Sequence, residues 1–150
     1  MICVVQRVKE SSVTIDNNLY SKIGEGLNIL IGIAEDDCDK DIEWLCDKIL
    51  NLRIFSNTEG KFDLSLKDIN GEALVISQFT LLGDTKKGRR PDFTKAMKPK
   101  EAEKIYEDFV KKLKEKYEPN KIKTGVFGAE MSVDIKNDGP VTIIINSRER

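Results

Sequence analysis

Apolar positions in this chain switch between a period of two and a period of three to four, and the switches mark out its elements. Ile2 to Val8 is a mostly apolar run that predicts a central strand, and Ser11 to Asp16 alternates in the manner of its hairpin partner. Asp16-Asn17-Asn18 is a turn cluster. Tyr20–Ile23 and Leu27–Ala34 then predict two more strands, punctuated by Gly24 and Gly26, the second apolar enough to be buried on both faces. From about Asp39 to Leu52 the period lengthens. Ile42, Leu45, Ile49 and Leu52 recur at helical spacing, with acidic residues at the start where the helix dipole favours them. Trp44 on this helix reads as core packing, with a stacking platform as the alternative.

Arg53-Ile54-Phe55 predicts a short strand, Ser56–Lys61 a loop, and Phe62–Asn70 follows neither period. Ala73-Leu74-Val75-Ile76 is a buried strand. Pro99 opens the strongest helix, whose stripe runs Ala102, Ile105, Tyr106, Phe109, Val110, Leu113 and Tyr117, and Pro119-Asn120 ends it. The Lys- and Glu-rich opposite face reads as solvated. Lys121–Phe127, Met131–Lys136 and Val141–Asn146 predict three further strands, with Asn137-Asp138-Gly139 as a hairpin turn between the last two. The whole, residues 1–150, predicts one α+β domain: a largely antiparallel or mixed, barrel-like β-sheet with two main helices packed on it.

Composition narrows the chemistry. The 25 basic and 26 acidic residues nearly cancel, so attraction to nucleic acid has to come from local clustering. The chain has no histidine, which excludes Ser-His-Asp and Cys-His catalysis and histidine-containing zinc sites. Cys3, Cys38 and Cys46 are odd in number and lack CxxC spacing; on one helix Cys38 and Cys46 would stand about 12 Å apart, too far to bond. They read as free buried thiols of a reducing compartment. No apolar run nears the roughly 18 residues of a membrane span, so the expectation is a soluble, cytoplasmic protein without a metal or other cofactor.

Candidate chemistry concentrates in Ala73–Pro91. The strand delivers Ser77, Gln78, Phe79 and Thr80 to its own end, and a basic loop follows with Lys86, Lys87, Arg89 and Arg90, a pattern suited to a polyanionic substrate or simply to solvation. Ser77 and Thr80 are candidate nucleophiles without a base nearby in sequence. The alternative is that backbone N–H groups at the strand end bind a developing oxyanion. Gly139-Pro140 is a bond that can be cis or an ordinary trans proline after a turn. No P-loop or GxGxxG is present.

These segments resemble the D-aminoacyl-tRNA deacylases. Ser77-Gln78-Phe79-Thr80-Leu81, Asp84-Thr85-Lys86-Lys87-Gly88-Arg89-Arg90-Pro91 and Asn137-Asp138-Gly139-Pro140-Val141-Thr142 look like that family's signatures, and Val4–Val8, Lys48–Phe55 and Thr124–Ala129 match in order and spacing. Leu82-Gly83 and Asp63 depart from the usual pattern. The resemblance implies a homodimeric hydrolase of the ester joining a D-amino acid, or glycine, to the terminal adenosine of tRNA. It implies that a cis Gly139-Pro140 peptide enters the partner's pocket and excludes L-amino acids, that Arg7 braces this loop, that Ser77 to Thr80 line the opposite wall, and that the basic loop meets acceptor-stem phosphates.

Overall fold

In the computed structural model, which describes residues 1–150, the first strand β1 (Ile2–Ile15) runs unbroken through what the sequence predicts as two strands. Ser11–Asp16 is the continuation of Ile2–Val8, not its partner. A strand this long serves two neighbours on one edge. Strand β3 (Gly26–Gly32) pairs antiparallel with Ile2–Val8, and β2 (Asn18–Ile23) pairs with Ser11–Ile15 across a turn in which Asp16 and Asn17 take φ of 48° and 63°. Two successive left-handed residues match the twist of a tight hairpin, which is why Asp-Asn stands there.

The ribbon β4 (Phe55–Ser56) and β5 (Phe62–Leu64) follows the first helix, giving a strand to a stretch that shows no period in sequence. Strand β6 (Glu72–Ser77) lies parallel to β3, and β7 (Ile122–Thr124) parallel to β6. Parallel neighbours need long crossovers, and the helices supply them: α1 (Asp39–Leu50) between β3 and β6, and α2 (Pro99–Lys116) between β6 and β7. The Ser21 hydroxyl donates to the Thr124 carbonyl at 2.7 Å, tying β2 toward β7, so the mixed six-stranded sheet is nearly closed and barrel-like.

The last strand, β8 (Ser132–Asn146), covers the other edge of β1 along its length. Here the predicted Asn137-Asp138-Gly139 hairpin is corrected. The two expected strands are halves of one, both already partnered by β1, so the chain has no reason to reverse. The pairing passes from Gln6 with Thr142 to Val8 with Asn137, and the intervening Asp138–Val141 stand opposite Arg7 alone as a bulge.

Both helices pack on one face of the sheet. On α2 the buried residues Ala102, Tyr106, Phe109, Val110 and Leu113 follow the predicted stripe, with Ile105 and Tyr117 half-buried at its margins. On α1 the stripe is Ile42, Leu45, Cys46, Ile49 and Leu50; Trp44 and Leu52 pack against it half-buried. A smaller apolar cluster of Val8, Val13, Ile23, Leu74 and Ile76 lies apart from the main one. Cys3 and Cys46 are buried, and burial pushes the Cys46 thiol up to about 12. Cys38, expected inside, is exposed because it stands at the start of α1, where its N–H donates to Asp41. No helix is long and apolar enough to cross a membrane.

Tyr106 fixes α2 to the strand that carries the candidate chemistry: its buried hydroxyl donates to the Val75 carbonyl at 2.8 Å, and burial raises its pKa. The same carbonyl also accepts the Gly125 N–H at 3.1 Å, so it keeps one partner if the hydroxyl is removed. Tyr106→Phe is expected to lower stability by about 1 kcal/mol, read as a lower denaturation midpoint with unchanged slope. A midpoint equal to that of the unmodified protein would show that the hydroxyl adds nothing.

Candidate active site

The end of β6 turns sharply. The Gln78 N–H donates to the Ile31 carbonyl at 2.7 Å, extending the parallel pairing by one step, and Phe79–Leu82 then form a 3-10 turn closed by Leu81 N–H on Gln78 and Gly83 N–H on Thr80. This turn folds back onto β3 because Gly32 has no side chain; a Cβ there would lie 2.4 Å from Leu82 Cδ2. As the first residues of the turn, Phe79 and Thr80 have backbone N–H groups with no acceptor inside it.

Ser77, Gln78 and Phe79 line a cavity of about 370 Å³ whose remaining wall is mostly apolar: Met97 and Ala102 around the start of α2, and Phe127, Ala129 and Met131 on the approach to β8. Thr80 is exposed and outside this lining; its hydroxyl accepts a hydrogen bond from the Gln78 side-chain amide. The structure thus unites three of the four predicted residues in one pocket and ties the fourth to them. The far wall is missed by strand and helix periodicity, because it comes from Met97 before one helix and from the Phe127–Met131 turn. Only the matched segment Thr124–Ala129 pointed to it in sequence.

The basic loop adjoins this site. Asp84 and Asp92 exchange backbone hydrogen bonds of 2.8 and 2.9 Å, pinching the loop at its base, and Gly88 at φ 74° makes its tip. Phe93, just past the pinch, packs edge-on to Phe79 with ring centroids 5.0 Å apart. The N–H of Lys86 holds the Asp84 carboxyl below its usual range, and that of Thr94 does the same for Asp92, so both acids are occupied at the base. Lys86, Lys87, Arg89 and Arg90 are exposed and make no ion pair within the chain.

Gly139 and Pro140 are not in this pocket. Their peptide is cis, both residues are exposed, and they project on the bulge of β8. Arg7 lies beneath them: its Nε donates to the Asp138 carbonyl at 3.1 Å and its Nη1 to the Ile54 carbonyl at 2.8 Å. Within one chain, then, the Gly-Pro bulge and the Ser77–Phe79 pocket remain separate.

The geometry defines an α+β protein of one class: a nearly closed mixed sheet with two helices on one face, carrying an apolar pocket at a strand end, unpaired amides at its edge and an exposed cationic loop beside it. The chain matches the family model described as D-Tyr-tRNA(Tyr) deacylase over residues 4–146. It is 58% identical over 149 residues to a D-aminoacyl-tRNA deacylase of Clostridium acetobutylicum, covering 99% of each chain, and 54% identical over 149 residues to one of Aquifex aeolicus, again 99% of each. A solved structure titled c-Myc DNA Unwinding Element Binding Protein superposes with a TM-score of 0.94 at 46% identity, covering 97% of this chain and 98% of that one. A structure of a probable eukaryotic D-amino acid tRNA deacylase shares the fold, with a TM-score of 0.83 at 16% identity over 96% of this chain and 97% of that one. The chain belongs to the D-aminoacyl-tRNA deacylase family.

Proposed function

We infer that this protein hydrolyses the ester of D-aminoacyl-tRNA, and of glycyl-tRNA, releasing free tRNA and amino acid. The observation that carries this reading is the pair of unpaired amides, Phe79 and Thr80, at the end of the strand whose last residues line an apolar pocket. Water adds to the ester carbonyl carbon, the carbonyl oxygen gains negative charge, and those amides stabilise it; the bond to the ribose oxygen then breaks and that oxygen takes the proton. Donors aimed at a developing oxyanion are worth about 2.7–4 kcal/mol each where measured, enough for an ester that is already activated. The 2′-hydroxyl of the RNA assists, so the lack of histidine is no obstacle. The pocket receives the amino acid side chain, and the cations at the loop tip bind phosphates of the acceptor stem.

Chiral selection in this reading needs a second copy. Gly139 and Pro140, exposed on one protomer, enter the pocket of its partner and block the side-chain direction of an L-amino acid. A homodimer is therefore part of this reading, testable by sedimentation. A substrate of this kind goes with a cytoplasmic location. Loss of ester from matched D-, L- and glycyl-tRNAs tests the activity: rapid loss from the D- and glycyl-esters with the L-ester spared is expected. Binding of tRNA without hydrolysis would leave a nucleic-acid-binding module instead.

Charge reversal at Arg89 and Arg90 is expected to weaken tRNA binding and flatten its salt dependence, because each lost phosphate contact removes about 0.7–0.9 from the slope of log K against log salt. Unchanged affinity and slope would make the loop a solvated surface.

A further inference from the structure

The Arg7 guanidinium is engaged from several directions at once. Beyond the two carbonyls it donates to, its Nε lies 3.2 Å from the Asp138 carboxylate, its Cζ stands 5.5 Å from the centre of the Phe62 ring, and a Cβ on Gly139 would lie 3.1 Å from Nη2. The Arg7 side chain is 11% exposed and that of Asp138 33%, so the pair is partly desolvated and its charges are not fully screened. Asp138 belongs to the bulge itself, whereas Ile54 and Phe62 lie before β4 and in β5. The guanidinium therefore indexes the bulge to the β4–β5 ribbon as well as to the strand beneath it.

Phe62 is 55% exposed, too open to be explained by core packing, and its ring sits over the one cation that holds the bulge. We propose that Asp138 and Phe62 are positioning residues for chiral selection: the carboxylate and the ring seat Arg7, and Arg7 in turn sets where Gly139 and Pro140 project. This rests on the reading of the Gly-Pro bulge given above. Neither residue touches substrate. Their effect is on discrimination, since a bulge held loosely still leaves the pocket and its amides intact while admitting side chains it should reject.

The test compares Asp138→Ala, Asp138→Asn, Phe62→Leu and Phe62→Tyr in full-length protein, measuring hydrolysis of D- and L-aminoacyl-tRNA, melting temperature and exchange of the Arg7 Nε–H by NMR. Asp138→Ala and Phe62→Leu are expected to lower the D-to-L rate ratio by about ten- to a hundredfold, through faster loss of the L-ester, with faster Nε–H exchange. Asp138→Asn keeps an acceptor and falls between, and Phe62→Tyr, which keeps the ring, restores the ratio. A ratio and Nε–H protection unchanged in Asp138→Ala or Phe62→Leu overturn the inference. So does a parallel fall of both rates with melting temperature, which marks a plain folding defect. Unmodified protein with no D preference overturns the reading beneath it, and this inference with it.

Discussion

Replacing Gly139 with alanine is expected to cost both stability and selectivity. Gly139 sits at φ 122°, a region that residues with a Cβ rarely adopt, and the new methyl would lie 2.8 Å from Val141 Cγ2 and 3.1 Å from Arg7 Nη2. Neither neighbour yields readily. Val141 is buried, and Arg7 is held by the carbonyls of Ile54 and Asp138. The backbone strain alone is worth about 1–3 kcal/mol, and the contacts push the bulge away from its seat. Measured together, the melting temperature should fall and the ratio of D- to L-ester hydrolysis should fall with it. A second variant divides the causes: Val141→Ala in the same background relieves the closest contact but neither the φ nor the approach to Arg7 Nη2, so recovery of selectivity assigns the effect to crowding by Val141 and persistence assigns it to the backbone or to a displaced Arg7. A Gly139→Ala protein with full D preference and undiminished stability would remove the bulge from chiral selection.

Much of the fold is legible in the pattern of residues because local physics decides it. The α2 stripe from Ala102 to Leu113 buries as its spacing requires, and Asp16-Asn17 turns where two left-handed residues are tolerated. What the pattern misread are non-local choices. An alternating stretch after an apolar one looks like a hairpin, but whether Ser11–Ile15 turns back or runs on depends on which edges β2 and β3 occupy, and that is settled elsewhere in the chain. The Asn137-Asp138-Gly139 sequence carries real turn chemistry and uses it, with Gly139 at positive φ; β1 converts the turn into a bulge by pairing with both flanks.

The candidate site divides in the same way. Ser77 to Thr80 and the cationic loop are contiguous in sequence and so visible together. The wall built from Met97, Ala102, Phe127 and Met131 exists only after the sheet nearly closes and α2 docks. The seat of Arg7 is harder still to see, since two of its contacts are backbone carbonyls at Ile54 and Asp138, groups that every residue possesses and no residue type announces.

Two cavities share the Phe127 side chain, and blocking each in turn should decide which one holds the ester. The larger, about 660 Å³, runs between α2 and β7 and presents Glu103, Glu107 and Glu115 against Lys111 and Lys114, a lining with net negative charge that repels an RNA end. The smaller, about 370 Å³, is mostly apolar and is lined by the strand end up to Phe79, with the unpaired Phe79 and Thr80 amides at its edge. Ala129→Phe puts a ring into the smaller pocket from a half-buried turn position, so the fold should tolerate it while the substrate should not. Displacement of a bound ester by about 1 Å is enough to lose about a hundredfold in rate, and a ring in the pocket displaces it further. Hydrolysis of D-aminoacyl-tRNA is therefore expected to fall by about a hundredfold or more with melting temperature nearly unchanged. Lys114→Trp, which fills the larger groove from an exposed helix face, should leave the rate near that of the unmodified protein. The reverse outcome, with the tryptophan variant inactive and the phenylalanine variant active, would move the ester to the groove beside α2 and strip the Phe79 and Thr80 amides of their proposed role.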